Sequence, residues 1–380
     1  MLRILIIMLS LLLSLGQFAE MYLPFFKEAI IGFLIVYVLF TDRSRLILME
    51  NIKDAFPLFL IFLIFLFLGA ILPYQIKEES VINFKFLSAI FLFIFLSSFF
   101  SMRPRDVAFS LIFFGIGAGL LSILYGLGFF GTEAYEIRND RLNLLGENPN
   151  SLSVRVSLGI LFLVWGSVEN VLNLNRFFRV ILLIPVPFMF NLILASGSKG
   201  SFLLCIASIA LYILLLKNIS KYVKFGVIIS GVVAFLFALS LFFESSLYER
   251  FLTSDFTSGR SDIWDAAINI FLENPLGIGE VGYKVEILRR LGVIIDTHNL
   301  FVYLLVTGGI IALILFLYFM TKIFIKNIRR YKYDKNIIFL LIFFSMVFVM
   351  SKTGGVLSYL IMWYFLACIN GPSIKRELVK

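Results

Sequence analysis

The chain has 380 residues, of which 61% are hydrophobic and only 15% charged, with a mean hydropathy of +1.00. A sphere of this size cannot bury so much apolar surface, so the excess faces lipid; a soluble enzyme, a disulfide-stapled secreted module, a disordered chain and a nucleic-acid-binding domain are excluded. The net charge of +9 is dispersed between apolar runs, and Cys205 and Cys368 sit singly inside such runs, with neither a disulfide framework nor a metal pair.

Crossing the hydrocarbon takes about 20 apolar residues, and irregular backbone cannot face lipid, so the runs read as helices. Twelve are expected, at 2–15, 29–40, 55–72, 84–100, 107–130, 152–168, 177–195, 202–216, 223–243, 299–319, 337–350 and 356–369. The first two need flanking residues to complete a crossing. The first ends at Leu15-Gly16-Gln17 without a small-x-small cleavage pattern, so it reads as a retained helix rather than a signal peptide. With the N-terminus in the cytoplasm, 20 of the 33 Lys and Arg fall in inner loops, most densely at 322–335, and both termini are expected inside. These basic runs are topology signals and contacts to anionic membrane lipid, and nucleic acid is not needed to explain them. The expected fold is one all-α polytopic membrane domain, 1–380, with outer segments at 131–151 and 244–297. The second lies between the ninth and tenth spans and is the only stretch long and polar enough to fold outside the bilayer.

Within that segment Ile263, Trp264, Ala267, Ile270 and Phe271 recur at helical spacing, Asp262 and Asp265 suit a first turn, and Asn274-Pro275 stops the pattern. A second amphipathic stretch, 283–291, carries Arg289 and Arg290. Two short helices joined by a glycine-rich turn follow, expected over the mouth of the bundle. Gly277, Gly279 and Gly282 match the spacing of a dinucleotide fingerprint, but a helix rather than a strand precedes them, so they read as a turn. Ser198-Lys199-Gly200-Ser201 likewise lacks the order of a phosphate-binding loop.

The sole histidine, His298, stands where this segment meets the tenth span. A lone histidine is more often structural. Here, however, a helix N-terminus disfavours an imidazolium, which leaves the ring able to accept a proton, and the water–membrane boundary is where a lipid-linked head group sits. Arg260, after Ser258-Gly259, reads either as a solvated loop arginine or as a guanidinium that holds an anion together with helix N–H groups. Lys199 lies in a tight outer turn between apolar helices, where an ammonium either snorkels to water or serves a function. Arg155, after Asn148-Pro149-Asn150, and Lys352, before Thr353-Gly354-Gly355, are weaker cases of the same kind. Cations gathered on one side of a membrane suit a diphosphate. Asp255, Asp262, Asp265 and Glu273 do not demand a metal, since no histidine accompanies them; positive side chains alone can stabilise a departing diphosphate.

Ser258-Gly259-Arg260 with Trp264, then Asn274-Pro275-Leu276-Gly277-Ile278-Gly279, then His298-Asn299 leading into a span with Gly308-Gly309, resembles the O-antigen ligase/polymerase superfamily. The resemblance implies an inverting, metal-independent glycosyltransferase without a cofactor, taking a glycan from undecaprenyl diphosphate on the outer face of the bacterial inner membrane. Ligases of the family pass it to the lipid A core, polymerases to another lipid-linked glycan. Carried over, His298 is the base and Arg260 stabilises the diphosphate. A second family arginine falls on Lys199, which keeps the charge but loses the two-pronged contact, so Arg155, Arg289 or Arg290 would share its work. No paired R-x10-G pattern is present, the one match from Arg155 to Gly166 running into a span, and this favours the ligase slightly over the polymerase. A flippase or transporter is the rival of another class; repeated halves and midplane polar residues, which such proteins show, are not seen.

Overall fold

The computed structural model describes residues 1–41, 44–71, 82–131, 135–137, 141–216, 242–243, 247–248, 260–352 and 356–371. In chain order its elements are α1 (Leu2–Leu15), α2 (Gln17–Tyr22), α3 (Phe26–Phe40), α4 (Ser44–Ile71), α5 (Ile82–Met102), α6 (Pro104–Gly126), β1 (Tyr135–Ile137) and β2 (Leu142–Leu144). They continue with α7 (Pro149–Glu169), α8 (Arg176–Ile181), α9 (Val186–Ala195), α10 (Lys199–Leu215), α11 (Arg260–Glu273), α12 (Gly279–Leu291), α13 (Leu300–Asp334), α14 (Ile338–Met350) and α15 (Leu360–Asn370). Every expected apolar run but the ninth falls on these helices; that run, 223–243, lies outside the described residues except at its end. Among the described residues, six helical stretches are long and apolar enough to cross a membrane, and four shorter apolar helices accompany them.

Two compact units are present. The first comprises Met1–Leu34, Arg103–Ser254 and Tyr331–Ser345, the second Ile35–Met102, Asp255–Arg330 and Met346–Lys380.

In the first unit α6 packs against α1, α7 and α9. The reason lies in Gly115-Ile116-Gly117-Ala118-Gly119. A Cβ at Gly115 would lie 2.9 Å from the Gly159 carbonyl, at Gly117 2.0 Å from Ser14 Oγ, and at Gly119 2.7 Å from Pro185. Between lipid-facing helices association rests on close packing rather than on apolar burial, and the glycines permit that approach. The predicted seventh span is broken. Leu183 and Ile184 donate to carbonyls three residues back, at 2.9 and 3.1 Å, and the helix resumes at Val186, with Pro185 as its cap and Pro187, which likewise carries no N–H, in its first turn. A further departure from an all-α expectation is the antiparallel pair β1–β2, which pairs Tyr135 with Leu144 and Ile137 with Leu142. Leu142 and Leu144 are buried with Leu152, Val156, Met189 and Cys205, which fastens the hairpin to the helices.

In the second unit α4, α5 and α15 pack together, and Phe86, Phe93, Phe319 and Trp363 meet edge-on or tilted around α5. The tenth helix, expected to stop at 319, continues to Asp334, so the basic run 322–334 is helical; Lys322 and Lys326 pair with Asp54 of α4. The break in this helix positions everything above it. Gly309 has φ 72° and ψ −175°, and the turn between α11 and α12 seats against it. Val306 and Ile310, which would pair with each other in an uninterrupted helix, each take a partner in that turn. The Ile278 N–H donates to Val306 O, and the Ile310 N–H to Pro275 O, both at 3.1 Å. The glycine-rich turn thus plugs a helix break, roughly 14 Å from the start of α13, instead of merely capping the bundle.

Candidate functional site

The second unit builds its site from α11, α12 and the loop that leads into α13. Ile263, Ala266, Ala267 and Ile270 turn one face of α11 inward, while Asp262 and Asp265 are exposed. Arg260 and Trp264, four residues apart, share another face. Trp264 donates its indole N–H to Thr297 O at 2.8 Å, so α11 holds the backbone one residue before His298. From α12, the Tyr283 hydroxyl donates to Ile295 O at 2.9 Å. The loop is therefore pinned on both sides.

Inside the loop, short side chains do the capping. Asn299 Oδ1 accepts from the N–H groups of Phe301 (3.0 Å) and Val302 (3.3 Å), closing the N-terminus of α13. Thr297, fully buried, donates its hydroxyl to Asn299 O at 2.9 Å. The His298 N–H donates to Asp296 Oδ1 at 3.2 Å, and His298 itself has φ 50°. A left-handed conformation costs free energy in any residue bearing a Cβ, and it persists here because the surroundings over-determine it. The half-exposed imidazole is thus carried on a fixed backbone at the start of a helix.

Arg260 opens α11, half-buried, and donates through Nη1 to Lys352 O at 2.9 Å. Burial lowers the proton affinity of its guanidinium, while the neighbouring Asp296 carboxylate works the other way. Burial, followed by the same carboxylate, raises that of Tyr283. Asp296 is therefore the common neighbour of the arginine, the tyrosine and the histidine loop. Arg260 contacts the Lys352 carbonyl, and Asp296, which accepts from the backbone N–H of His298, adjoins the arginine's guanidinium electrostatically. The Ser258-Gly259 turn, Asp255 and Thr353-Gly354-Gly355 lie outside the described residues.

Arg289 and Arg290 do not share that setting. Arg289 is two-thirds exposed and bonds Glu286 at 2.7 Å. Arg290 pairs with Glu273, tying the end of α12 to the end of α11, and lies 3.6 Å from Glu286.

In the first unit, Lys199 is the first residue of α10 and half-buried, after a turn in which Gly197 has φ 62°. Arg155 is 2% exposed and paired with Glu147, whose carboxyl is pushed up by burial against the opposing pull of that arginine. It lies so close under Gly16 that a Cβ there would be 1.4 Å from Arg155 Nη1. Arg141 was not singled out from the sequence. It donates through Nη2 to Asn150 Oδ1 (2.6 Å) and through Nε to Ser196 O (3.3 Å), at the foot of the Lys199 turn. In the polar string Arg138-Asn139-Asp140-Arg141 it looked like any solvated cation. Asp296 and Asn299 did carry a signal, cap-forming residues placed just before an apolar run. Among the described residues no three His, Cys, Asp or Glu side chains gather closely enough to hold a metal ion.

Residues 184–317, from the approach to α9 to the middle of α13, match the family model described as O-antigen ligase. No curated protein matches the chain.

Proposed function

Because the chain belongs to the O-antigen ligase/polymerase superfamily, we propose that it is a membrane-embedded glycosyltransferase that moves a glycan from undecaprenyl diphosphate to an acceptor hydroxyl, the lipid A core being the preferred acceptor. The observation that carries this reading is the presentation of Arg260 and the His298 loop by one rigid assembly. Trp264 ties the helix bearing the arginine to the loop bearing the imidazole.

In the proposed reaction the acceptor hydroxyl gives its proton to His298 as its oxygen forms a bond to the anomeric carbon. The bond from that carbon to the diphosphate oxygen breaks on the opposite face, which inverts the centre, and the electron pair leaves with undecaprenyl diphosphate. Arg260 faces the charge that grows on the leaving group. A guanidinium already oriented by the Lys352 carbonyl need not reorganise at that moment. On the resemblance alone, Lys199 of the first unit is proposed to contact donor phosphate. A donor that carries its own activation also suits an extracytoplasmic site, where no ATP is at hand. Twelve crossings with both termini in the cytoplasm, in the bacterial inner membrane, complete the proposal, and the wide apolar surface of the helices supports it.

The test is reconstitution of the full chain in vesicles with a lipid-linked donor, offering core lipid and lipid-linked repeat units as competing acceptors. Transfer to core lipid supports the ligase. Transfer only to repeat units makes the protein a polymerase. Movement of the donor between leaflets with no transfer overturns the enzyme and favours a flippase.

A further inference from the structure

We infer that Asp296 is a positioning residue for the base: its side chain holds the backbone of His298, and its charge offsets the imidazolium that forms when the ring takes the acceptor's proton. This rests on the reading that His298 is the base. The proposed reaction itself creates the need for such a group. His298 stands two residues before α13 opens at Leu300, at a helix end where the macrodipole disfavours positive charge. That keeps the resting ring neutral, as a base requires, but it also opposes the cation that the reaction creates there. A carboxylate beside the loop lessens the second cost.

Asp296 is that carboxylate. Its Oδ1 accepts from the His298 N–H at 3.2 Å and lies 3.3 Å from the Thr297 hydroxyl. The first bond closes an Asx turn, in which a short polar side chain holds a backbone that would otherwise be costly, here φ 50° at His298. Because the carboxylate contacts the main-chain nitrogen of the residue that bears the ring, the two charges cannot lie much farther apart than roughly 8 Å, the screening length at physiological salt. An amide would close the same turn. The loop uses one where hydrogen bonding alone is wanted, since Asn299 Oδ1 accepts from Phe301 and Val302. At 296 a charge is kept instead, in a half-buried position where it acts on Arg260 from α11, Tyr283 from α12 and Tyr303 from α13. Neither phenol spends that charge. The Tyr283 hydroxyl donates to Ile295 O, and among the described residues the buried Tyr303 hydroxyl has no hydrogen-bond partner.

The test uses the full chain reconstituted in vesicles, with an undecaprenyl-diphosphate-linked repeat unit as donor and core lipid as acceptor, and follows transfer over roughly pH 5 to 9. Asp296→Asn keeps the turn-forming oxygen and removes the charge. Turnover should fall roughly three- to tenfold, with little change in donor KM. A charge removed from beside the ring makes the imidazolium less favourable, so the neutral base persists to lower pH. The acid side of the pH–rate profile should therefore move down by roughly half to one unit, the same factor on a logarithmic scale. Asp296→Glu restores a carboxylate and should recover part of both effects. Glu280, the other carboxylate that acts on Tyr303, is the control, and Glu280→Gln should leave the profile in place. Wild-type turnover and profile in Asp296→Asn, at an unchanged melting temperature, overturn the proposal, because an amide replaces a mere turn former without loss. A raised donor KM with an unmoved profile also overturns it and makes Asp296 the counter-ion of Arg260. An equal shift in Glu280→Gln overturns it as well, as a general field effect. Transfer surviving in His298→Ala refutes the base, whereas an inactive His298→Ala beside a silent Asp296→Asn refutes this inference alone, so the two failures are separable.

Discussion

Gly309→Ala tests whether the plugged helix break supports the site. The added Cβ would lie 2.3 Å from Leu276 C and 2.5 Å from Leu276 O, and both atoms are backbone, so no rotamer change relieves the collision. The backbone at 309, φ 72° with ψ −175°, belongs to a region essentially reserved for glycine, at a cost of about 1–3 kcal/mol for another residue. Displacing the turn also strains the bonds Ile278 N–H to Val306 O and Ile310 N–H to Pro275 O, worth about 1 kcal/mol each. Together about 3–5 kcal/mol is expected, a fall of roughly 5–10 °C in the melting temperature in detergent. Gly69→Ala is the control: that glycine lies in α4 with nothing within 4 Å of its added Cβ. Donor-dependent transfer should fall further than stability does, because the turn anchors α11 and α12, from which Trp264 and Tyr283 hold the His298 loop. If Gly309→Ala melts and turns over like Gly69→Ala, the turn does not bear on the break and the derivation of the site is wrong.

The other expectations are shorter. His298→Ala should abolish glycan transfer in reconstituted vesicles while membrane insertion is unchanged; measurable transfer removes the base. Arg260→Lys keeps the charge but not the fork, and should lower turnover by about tenfold or more, an equal rate speaking against a two-pronged contact. Trp264→Phe removes only the donor to Thr297 O and should cost about 1 kcal/mol of stability, with a larger loss in turnover number than in donor KM. Gly16→Ala should lower the melting temperature, since its methyl group meets the buried Arg155 guanidinium and the backbone there has φ 56°; an Arg155→Ala background should recover the part due to the collision and leave the backbone strain.

Apolar run lengths sufficed to place nearly every described helix, because a lipid-facing chain has few ways to satisfy its backbone. They did not show that 177–195 breaks, although Pro185 and Pro187 stand in it, because proline is tolerated in a membrane helix wherever neighbours take up the freed groups. Nor did they show the strand pair, since Tyr135-Glu136-Ile137 and Leu142-Asn143-Leu144 alternate apolar and polar but over only three residues each, too short a run to mark a strand. Of the candidate site, the helices around Arg260 and His298 were legible by periodicity, and the two residues were candidates by their place at the starts of α11 and α13. The sequence also held Asn274–Gly279 and Gly308-Gly309 as separate marks. That the first fits into the second is a pairing of backbone groups some thirty residues apart, for which no local pattern exists. Arg141 was invisible for the same reason: its acceptors, Asn150 and the Ser196 carbonyl, lie on other elements.

The cations that looked alike in sequence differ in what already faces them, and this decides which can serve a diphosphate. Arg155 is paired with Glu147, Arg290 with Glu273, and Arg289 with Glu286, the first of them buried and the last exposed. An incoming anion at any of these must compete with a carboxylate already in contact, so part of what it gains is lost in the exchange. Arg260 instead donates to a carbonyl oxygen, which orients the fork and adds no full negative charge at contact distance. Charge removal should therefore sort these residues. Arg289→Gln should leave transfer within about twofold of the wild type, as is usual for an exposed ion pair. Arg155→Gln should lower stability first, because it strands the Glu147 carboxylate in a buried site, and should change donor KM little in the protein that remains folded. A donor KM raised tenfold or more by Arg289→Gln would show that the pair with Glu286 opens to admit the substrate, and the ordering of cations by their resident acceptors would fail.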